Sequence, residues 1–179
     1  MSSTAWSVFD SPIGVCGIAW SQAGVRGVQL PEQSEAATRA RMTRRFPQAI
    51  ASPPAGHGAE AIAAIRALLQ QEAVDLSVLT LDMESVPAFH QRVYALARHI
   101  PPGETWTYGD LARRLGGLGL ARAVGQALGH NPFAIIVPCH RVVAANGKPG
   151  GFSAHGGTDL KFRLLVLEGM KPAVDLLPF

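Results

Sequence analysis

The stretch Ile135-Ile136-Val137-Pro138-Cys139-His140-Arg141-Val142-Val143 constrains this chain more than any other. The β-branched residues on both sides favour rigid, buried backbone. Between them a proline is followed without a gap by a cysteine, a histidine and an arginine. A cysteine beside a base is the minimum requirement for a thiolate nucleophile, because an ordinary thiol is mostly protonated near neutrality. In extended backbone, neighbouring side chains point to opposite faces. Cys139 and His140 therefore meet only through a bridging water, or if the chain turns after Pro138. The plain alternative is that Cys139 is a small buried hydrophobe. The adjacent His140 and Arg141, the preceding proline and the Gly-rich segment that follows favour the nucleophile.

The remaining residues have to build a support for this stretch. A chain of 179 residues gives one full-sized domain or two small ones, and 47% hydrophobic residues supply a packed core. The net charge of +3 and a pI near 9.2 suit an anionic partner without demanding one. Two cysteines, Cys16 and Cys139, make neither a disulfide framework nor a Cys-rich zinc site. Cys16, in an apolar segment with no basic neighbour, reads as structural. His57, His90, His99 and His155 lack metal-ligand spacing, so no metal is expected. With no signal pattern and no membrane-length apolar run, a soluble cytoplasmic protein is expected.

The first half reads as a small sheet with helices. Trp6 to Phe9, Val15 to Trp20 and Val25 to Leu30 form strands, separated by turns at Asp10–Gly14 and Ser21–Gly24. Glu32 to Phe46 is helical and carries Arg39, Arg41, Arg44 and Arg45, which read as a solvated face in preference to a DNA-binding one. Residues 51–58 form a Pro- and Gly-rich loop. A second helix covers Ala59 to Glu72, with Ile62, Ile65, Leu68 and Leu69 inward. Leu76 to Met83 alternates as a strand, and Glu84 to Pro87 is a linker that places the domain boundary at 84/85.

The second half is built of short helices. Phe89 to Ile100 is amphipathic, with Phe89, Val93, Leu96, Ala97 and Ile100 on its apolar face, and Pro101-Pro102-Gly103 ends it. Thr107 opens the next helix, with Asp110 placed for a capping box. The glycines 116, 117 and 119 then lead to a helix from Leu120 to Leu128. Two short helices joined in this way have the dimensions of a helix-turn-helix. Asn146-Gly147 signals a hairpin, Gly150 to Gly157 a closely approaching loop, and Thr158 the cap of a last helix. Glu168, near the end of that helix, is a candidate to orient His140.

Pro138-Cys139-His140-Arg141-Val142 resembles the active-site signature of the O6-alkylguanine-DNA alkyltransferases. Gly103-Glu104-Thr105-Trp106-Thr107-Tyr108-Gly109-Asp110-Leu111-Ala112 resembles that family's entry into its helix-turn-helix. Ala121-Arg122-Ala123-Val124-Gly125 resembles its recognition helix, Asn131-Pro132 its asparagine hinge, and Leu164-Leu165 to Glu168-Gly169 its closing helix. The turn Ser11-Pro12-Ile13-Gly14 resembles part of the family's N-terminal domain. The likeness is strong over the C-terminal half and loose over the first.

The resemblance implies a mixed α/β (α+β) fold. Residues 1–84 would form a small supporting sheet-plus-helix domain of ribonuclease H-like type. Residues 85–179 would form a mostly helical, winged helix-turn-helix-like domain carrying the cysteine. The implied function is repair of O6-alkylguanine in duplex DNA by base flipping and a single, stoichiometric transfer of the alkyl group to Cys139, with O4-alkylthymine an open alternative substrate. His140, through a water and oriented by Glu168, would generate the thiolate, while Asn131 would brace the active-site turn. Tyr108 would protonate the leaving guanine and press on the DNA backbone. Arg122 would fill the place of the flipped nucleotide, with Thr107, Ala121, Ala123 and Gly125 at the DNA surface. Pro138, Val142, Phe152 and Ser153 would line the substrate pocket. The carbonyls of Cys139 and Val142 would accept from the guanine amino group, and the Ser153 amide would face O6. Arg141 would be structural. The implied protein is a monomer that needs no cofactor and no membrane. The loop Gly151–Gly157 is longer than in many relatives and would shape the alkyl pocket.

Two other classes stay open on the residues alone. A DNA-binding module could recognise alkylated or distorted DNA without repairing it, a reading that the presence of Cys139 opposes. A cysteine hydrolase of small acyl substrates would leave the helix-turn-helix without a use.

Overall fold

The computed structural model describes residues 3–146 and 157–170. The architecture is mixed α/β, with the small sheet in the first half and short helices in the second. The chain divides into two compact units, one of residues 1–86 with the segment Pro132–Ile136, the other of Pro87–Asn131 with 137–179. The break falls between Val86 and Pro87, and the return of 132–136 to the first unit adds a second break that the sequence does not announce.

In the first unit β1 (Ala5–Ser11), β2 (Gly14–Trp20) and β3 (Val25–Gln29) form an antiparallel meander. After α1 (Glu35–Arg45), the two-residue β4 (Ile50–Ala51) pairs parallel with β1, giving the order β3-β2-β1-β4. The first hairpin turns tightly because Ser11 Oγ accepts from Ile13 N and donates to Gly14 O, while Gly14 takes φ +122. β2 is one of the two inner strands, and Cys16, Ile18 and Ala19 on it are fully buried. The helices α1 and α2 (Gly56–Leu69) pack on it closely. A side chain at Gly17 would begin 2.5 Å from the Met42 sulfur of α1, and one at Gly58 2.4 Å from Trp20. Ser34 caps α1 by accepting from Ala37 N.

The strand expected over Leu76–Met83 does not form. Asp75 accepts from Ser77 N and starts a single 3-10 turn, Leu76–Val78. Only one parallel bridge follows, Leu81 to Val25, with Val25 N donating to Thr80 O and Asp82 N to Val25 O. A local side-chain cap competes here with the ladder and prevails. Pro132–Ile136 lies along β3, with Val28 N donating to Pro132 O and Val28 bridged to Phe133.

The second unit begins with α3 (Ala88–Ala97), where Val93, Tyr94 and Ala97 are buried. The two-residue β5 (Trp106–Thr107) leads directly into α4 (Tyr108–Leu115). Thr107 Oγ1 accepts from Asp110 N and Asp110 Oδ2 accepts from Thr107 N, which completes the capping box. Gly116 and Gly117, at φ +146 and +156, make the turn, and a 3-10 turn at Leu118–Leu120 leads to α5 (Ala121–Gly129). Leu120 thus lies before the helix that the sequence had starting there. β6 (Val142–Val143) pairs parallel with β5. α6 (Gly157–Leu167) starts one residue before Thr158, the cap expected for it. Of the expected hairpin only Asn146 is described, and of the loop Gly151–Gly157 only Gly157.

Candidate active site

Two consecutive tight turns present Cys139. Pro138 has φ −80 and ψ 63, and Cys139 N donates to Val137 O at 2.8 Å, which is an inverse γ-turn about the proline. A 3-10 turn over Cys139–Arg141 follows, with Arg141 N donating to Pro138 O. This bend resolves the geometric difficulty of adjacent Cys and His side chains, because the backbone here is not extended. Asn131 Nδ2 donates to Val137 O at 2.9 Å and closes the base of the intervening segment. The strand pair Trp106↔Val142 and Thr107↔Val143 ties the exit of the turn to the start of α4.

Beneath the turn, Glu168 is a buried hub. Its Oε1 lies 2.7 Å from His140 Nε2 and 2.7 Å from one Arg141 terminal nitrogen, and its Oε2 accepts from Arg141 Nε at 2.7 Å. The His140 and Glu168 side chains are 1% and 0% exposed. Arg141 also donates to Ile100 O, three residues beyond the end of α3. Burial alone would raise the Glu168 carboxyl. The charge of His140 and the hydrogen bonds from Arg141 and His140 outweigh burial and hold it at about 2. An ionised carboxylate can only accept, so Nε2 of His140 carries the proton of this hydrogen bond. In neutral His140 the lone pair then sits on Nδ1, which is buried and has no hydrogen-bond partner among the described residues.

The Cys139 thiol is pushed up, chiefly by burial, against the opposing effects of a hydrogen bond from Asn131 and the positive charge of Lys161. The resting group is therefore a protonated thiol that needs a base. Lys161, 1% exposed, donates to Val142 O at 2.7 Å, and burial lowers its amine to about 8 while Cys139 works in the opposite direction. Burial likewise raises the phenols of Tyr94, to about 12, and Tyr108, with the nearby Cys139 adding to both. Tyr94 donates to Ala127 O of α5 at 2.6 Å.

The structure brings Cys139, His140, Glu168, Asn131 and Tyr108 together in this unit. Pro138 and Val142 are buried beside the cysteine. The Val142 carbonyl already accepts from Lys161, and the Cys139 carbonyl from Val142 N, which leaves one lone pair on each. Arg122, second residue of α5, is exposed and has no ion pair or hydrogen bond among the described residues. Ala121 and Ala123 flank it, half-buried, and Gly125 lies against the Tyr108 ring, where an added side chain would meet it at 3.9 Å. Thr107 is engaged in its cap. Phe152 and Ser153 lie outside the described residues. The sequence reading missed Lys161 and Tyr94, and it gave Arg141 no specific partner. A lysine three and four residues before the apolar Leu164 and Leu165 was the available sign of a buried amine.

Residues 88–170 match the model of the DNA binding domain of 6-O-methylguanine DNA methyltransferase. A methylated-DNA–protein-cysteine methyltransferase of Mycobacterium tuberculosis is 37% identical over 174 residues, 97% of this chain and 98% of that one. The crystal structure of M. tuberculosis OGT in complex with DNA is similar at a TM-score of 0.76, with 36% identity and 92% of each chain covered. That of an O6-methylguanine-DNA methyltransferase from Pyrococcus kodakaraensis gives 0.72, with 27% identity over 92% of this chain and 99% of the other.

Proposed function

Because the chain belongs to the methylated-DNA–protein-cysteine methyltransferase family, we propose that it repairs O6-alkylguanine in duplex DNA by moving the alkyl group onto Cys139. The observation that carries the reading is the pairing of a thiol held protonated by burial with a histidine whose free Nδ1 can take that proton. His140 removes the thiol proton through a water, with Glu168 fixing its tautomer and stabilising the imidazolium that forms. The sulfur attacks the alkyl carbon in line, forming the S–C bond as the bond from that carbon to guanine O6 breaks. Tyr108 donates a proton to the leaving guanine.

A stacked base cannot offer its O6-alkyl carbon to a half-buried cysteine, so the nucleotide leaves the helix at a cost of a few kcal/mol. Arg122 fills the gap with a long planar cation. Asn131 holds the acceptor turn, while Thr107, Ala121, Ala123 and Gly125 form the surface that meets the DNA, with Pro138, Val142, Phe152 and Ser153 around the extruded base. The product is a thioether, which water does not cleave under mild conditions, so each molecule acts once. The protein acts as a monomer in the cytoplasm, on residues 85–179 supported by residues 1–84.

The test is mass spectrometry of the Cys139 peptide after incubation with a duplex containing O6-methylguanine. The expected result is a gain of one methyl group, stoichiometric at most, and none in Cys139→Ala, which still binds DNA. Binding without a mass gain would make the protein a lesion-recognising module, and repeated turnover would make it a conventional enzyme.

A further inference from the structure

The net charge is unevenly distributed along the chain. Residues 36–59 contain Arg39, Arg41, Arg44 and Arg45 and no Asp or Glu. Taking these four from the 16 basic residues leaves 12 against all 13 acidic ones, so this stretch contributes +4 and the rest of the chain −1. On α1 only Arg39 has a carboxylate partner, Glu35 at 3.0 Å. Arg41 and Arg44 are exposed and have no ion pair or hydrogen bond among the described residues. Arg45 donates to Val28 O, Gln29 Oε1 and Pro132 O, all neutral acceptors. Its guanidinium is lowered to about 10, first by burial and then by the charge of Arg41, so like charges are held near one another without neutralisation.

The favourable field at a helix C-terminus accounts for cations in the last turn of α1. It does not account for the absence of acidic residues along the loop and strand that follow. The cavity of about 900 Å³ beside Arg45 is not where the excess lies. Its lining holds Arg26, Arg45 and Glu84, and Arg26 is paired with Asp82 at 3.5 Å, so its charges nearly cancel. The uncompensated charge is on the outer surface, at Arg41 and Arg44, one turn apart on α1. Guanidinium groups at that spacing suit phosphate oxygens better than lysines would.

We infer that the C-terminal half of α1 is a second DNA-binding surface, which holds the phosphate backbone without regard to sequence. This rests on duplex DNA being the partner, as proposed above. The surface raises the protein's affinity for DNA in general and leaves the chemistry at Cys139 untouched.

The experiment is a salt series on the full chain and on the R41Q/R44Q double variant, with undamaged and O6-methylguanine duplexes of short and long length. For the double variant the plot of log affinity against log salt on the long duplex should be shallower by about 1 to 2, with affinity about tenfold weaker at low salt. Methyl uptake from free O6-methylguanine base and the thermal midpoint should be unchanged, and Arg39→Gln, whose charge is already paired, should have a smaller effect. Equal slope and affinity for wild type and double variant on every duplex would overturn the inference. So would competition by polyglutamate that is as strong as that of DNA of the same charge and depends equally on Arg41 and Arg44, since the partner would then be an acidic protein. A wild-type chain that binds no duplex would overturn the proposed function instead.

Discussion

Nε2 of His140 lies 2.7 Å from Oε1 of Glu168, and both side chains are sealed from solvent. The same carboxylate takes two hydrogen bonds from Arg141, so one group fixes the tautomer of the base and neutralises a buried guanidinium. Glu168→Gln should therefore do two things at once. It leaves Arg141 as an uncompensated buried charge, which costs about 3–5 kcal/mol of stability, and it slows transfer about a hundredfold or more through loss of the oriented base. Chemical denaturation and single-turnover kinetics would separate the two effects. A transfer rate equal to wild type would remove Glu168 from the mechanism.

Acid stability follows from the same carboxylate. Its folded value of about 2 lies below the ordinary 4.5, so the unfolded chain takes up this proton first as pH falls. The contribution, on the order of 3 kcal/mol, is present in full above about pH 4.5 and is lost as pH drops to about 2. Urea midpoints measured across that window should fall for wild type and fall less steeply for Glu168→Gln. Parallel curves would contradict the assignment.

The raised Cys139 thiol predicts a transfer rate that climbs as pH increases above neutrality. Lys161→Met removes a positive charge that favours the thiolate, and also the donor to Val142 O. The limb of the pH–rate profile should move to higher pH, and a displacement of one pH unit slows transfer at neutrality about tenfold. A profile displaced the other way, or not at all, would show that the amine serves only to pack α6.

Arg122→Ala should slow repair of duplex DNA while leaving methyl uptake from the free base nearly intact, because the side chain is exposed and has no partner within the described residues. Parallel time courses on the two substrates test this. Equal loss on both would contradict a role confined to filling the duplex.

How much was legible in the sequence differs from element to element. The capping box at Thr107 and Asp110 is a spacing of three residues, and such local chemistry survives folding unchanged. The strands of the first meander were marked by their turn residues for the same reason. Leu76–Met83 carried strand-like alternation, but Asp75 could satisfy the backbone locally, and alternation alone does not reveal that competition. Tyr94 and Lys161 were hidden because their partners, Ala127 O and Val142 O, are main-chain atoms with no residue identity. The turn at Pro138 was anticipated as a condition for Cys139 and His140 to meet, whereas the coupling of Arg141 to Glu168 across the length of α6 had no local sign.

The pairing of Trp106–Thr107 with Val142–Val143 comprises only two residue pairs, yet it works as a depth gauge. Register in a strand pair is discrete, and a slip of one residue turns every side chain to the opposite face. Tyr108 follows directly from one strand and Cys139 stands three residues before the other, so the separation between phenol and sulfur is set in whole pleats and cannot drift gradually. Inserting a single residue between Trp106 and Thr107 would therefore abolish the alignment outright, while leaving the capping box of α4 and the buried carboxylate hub in place.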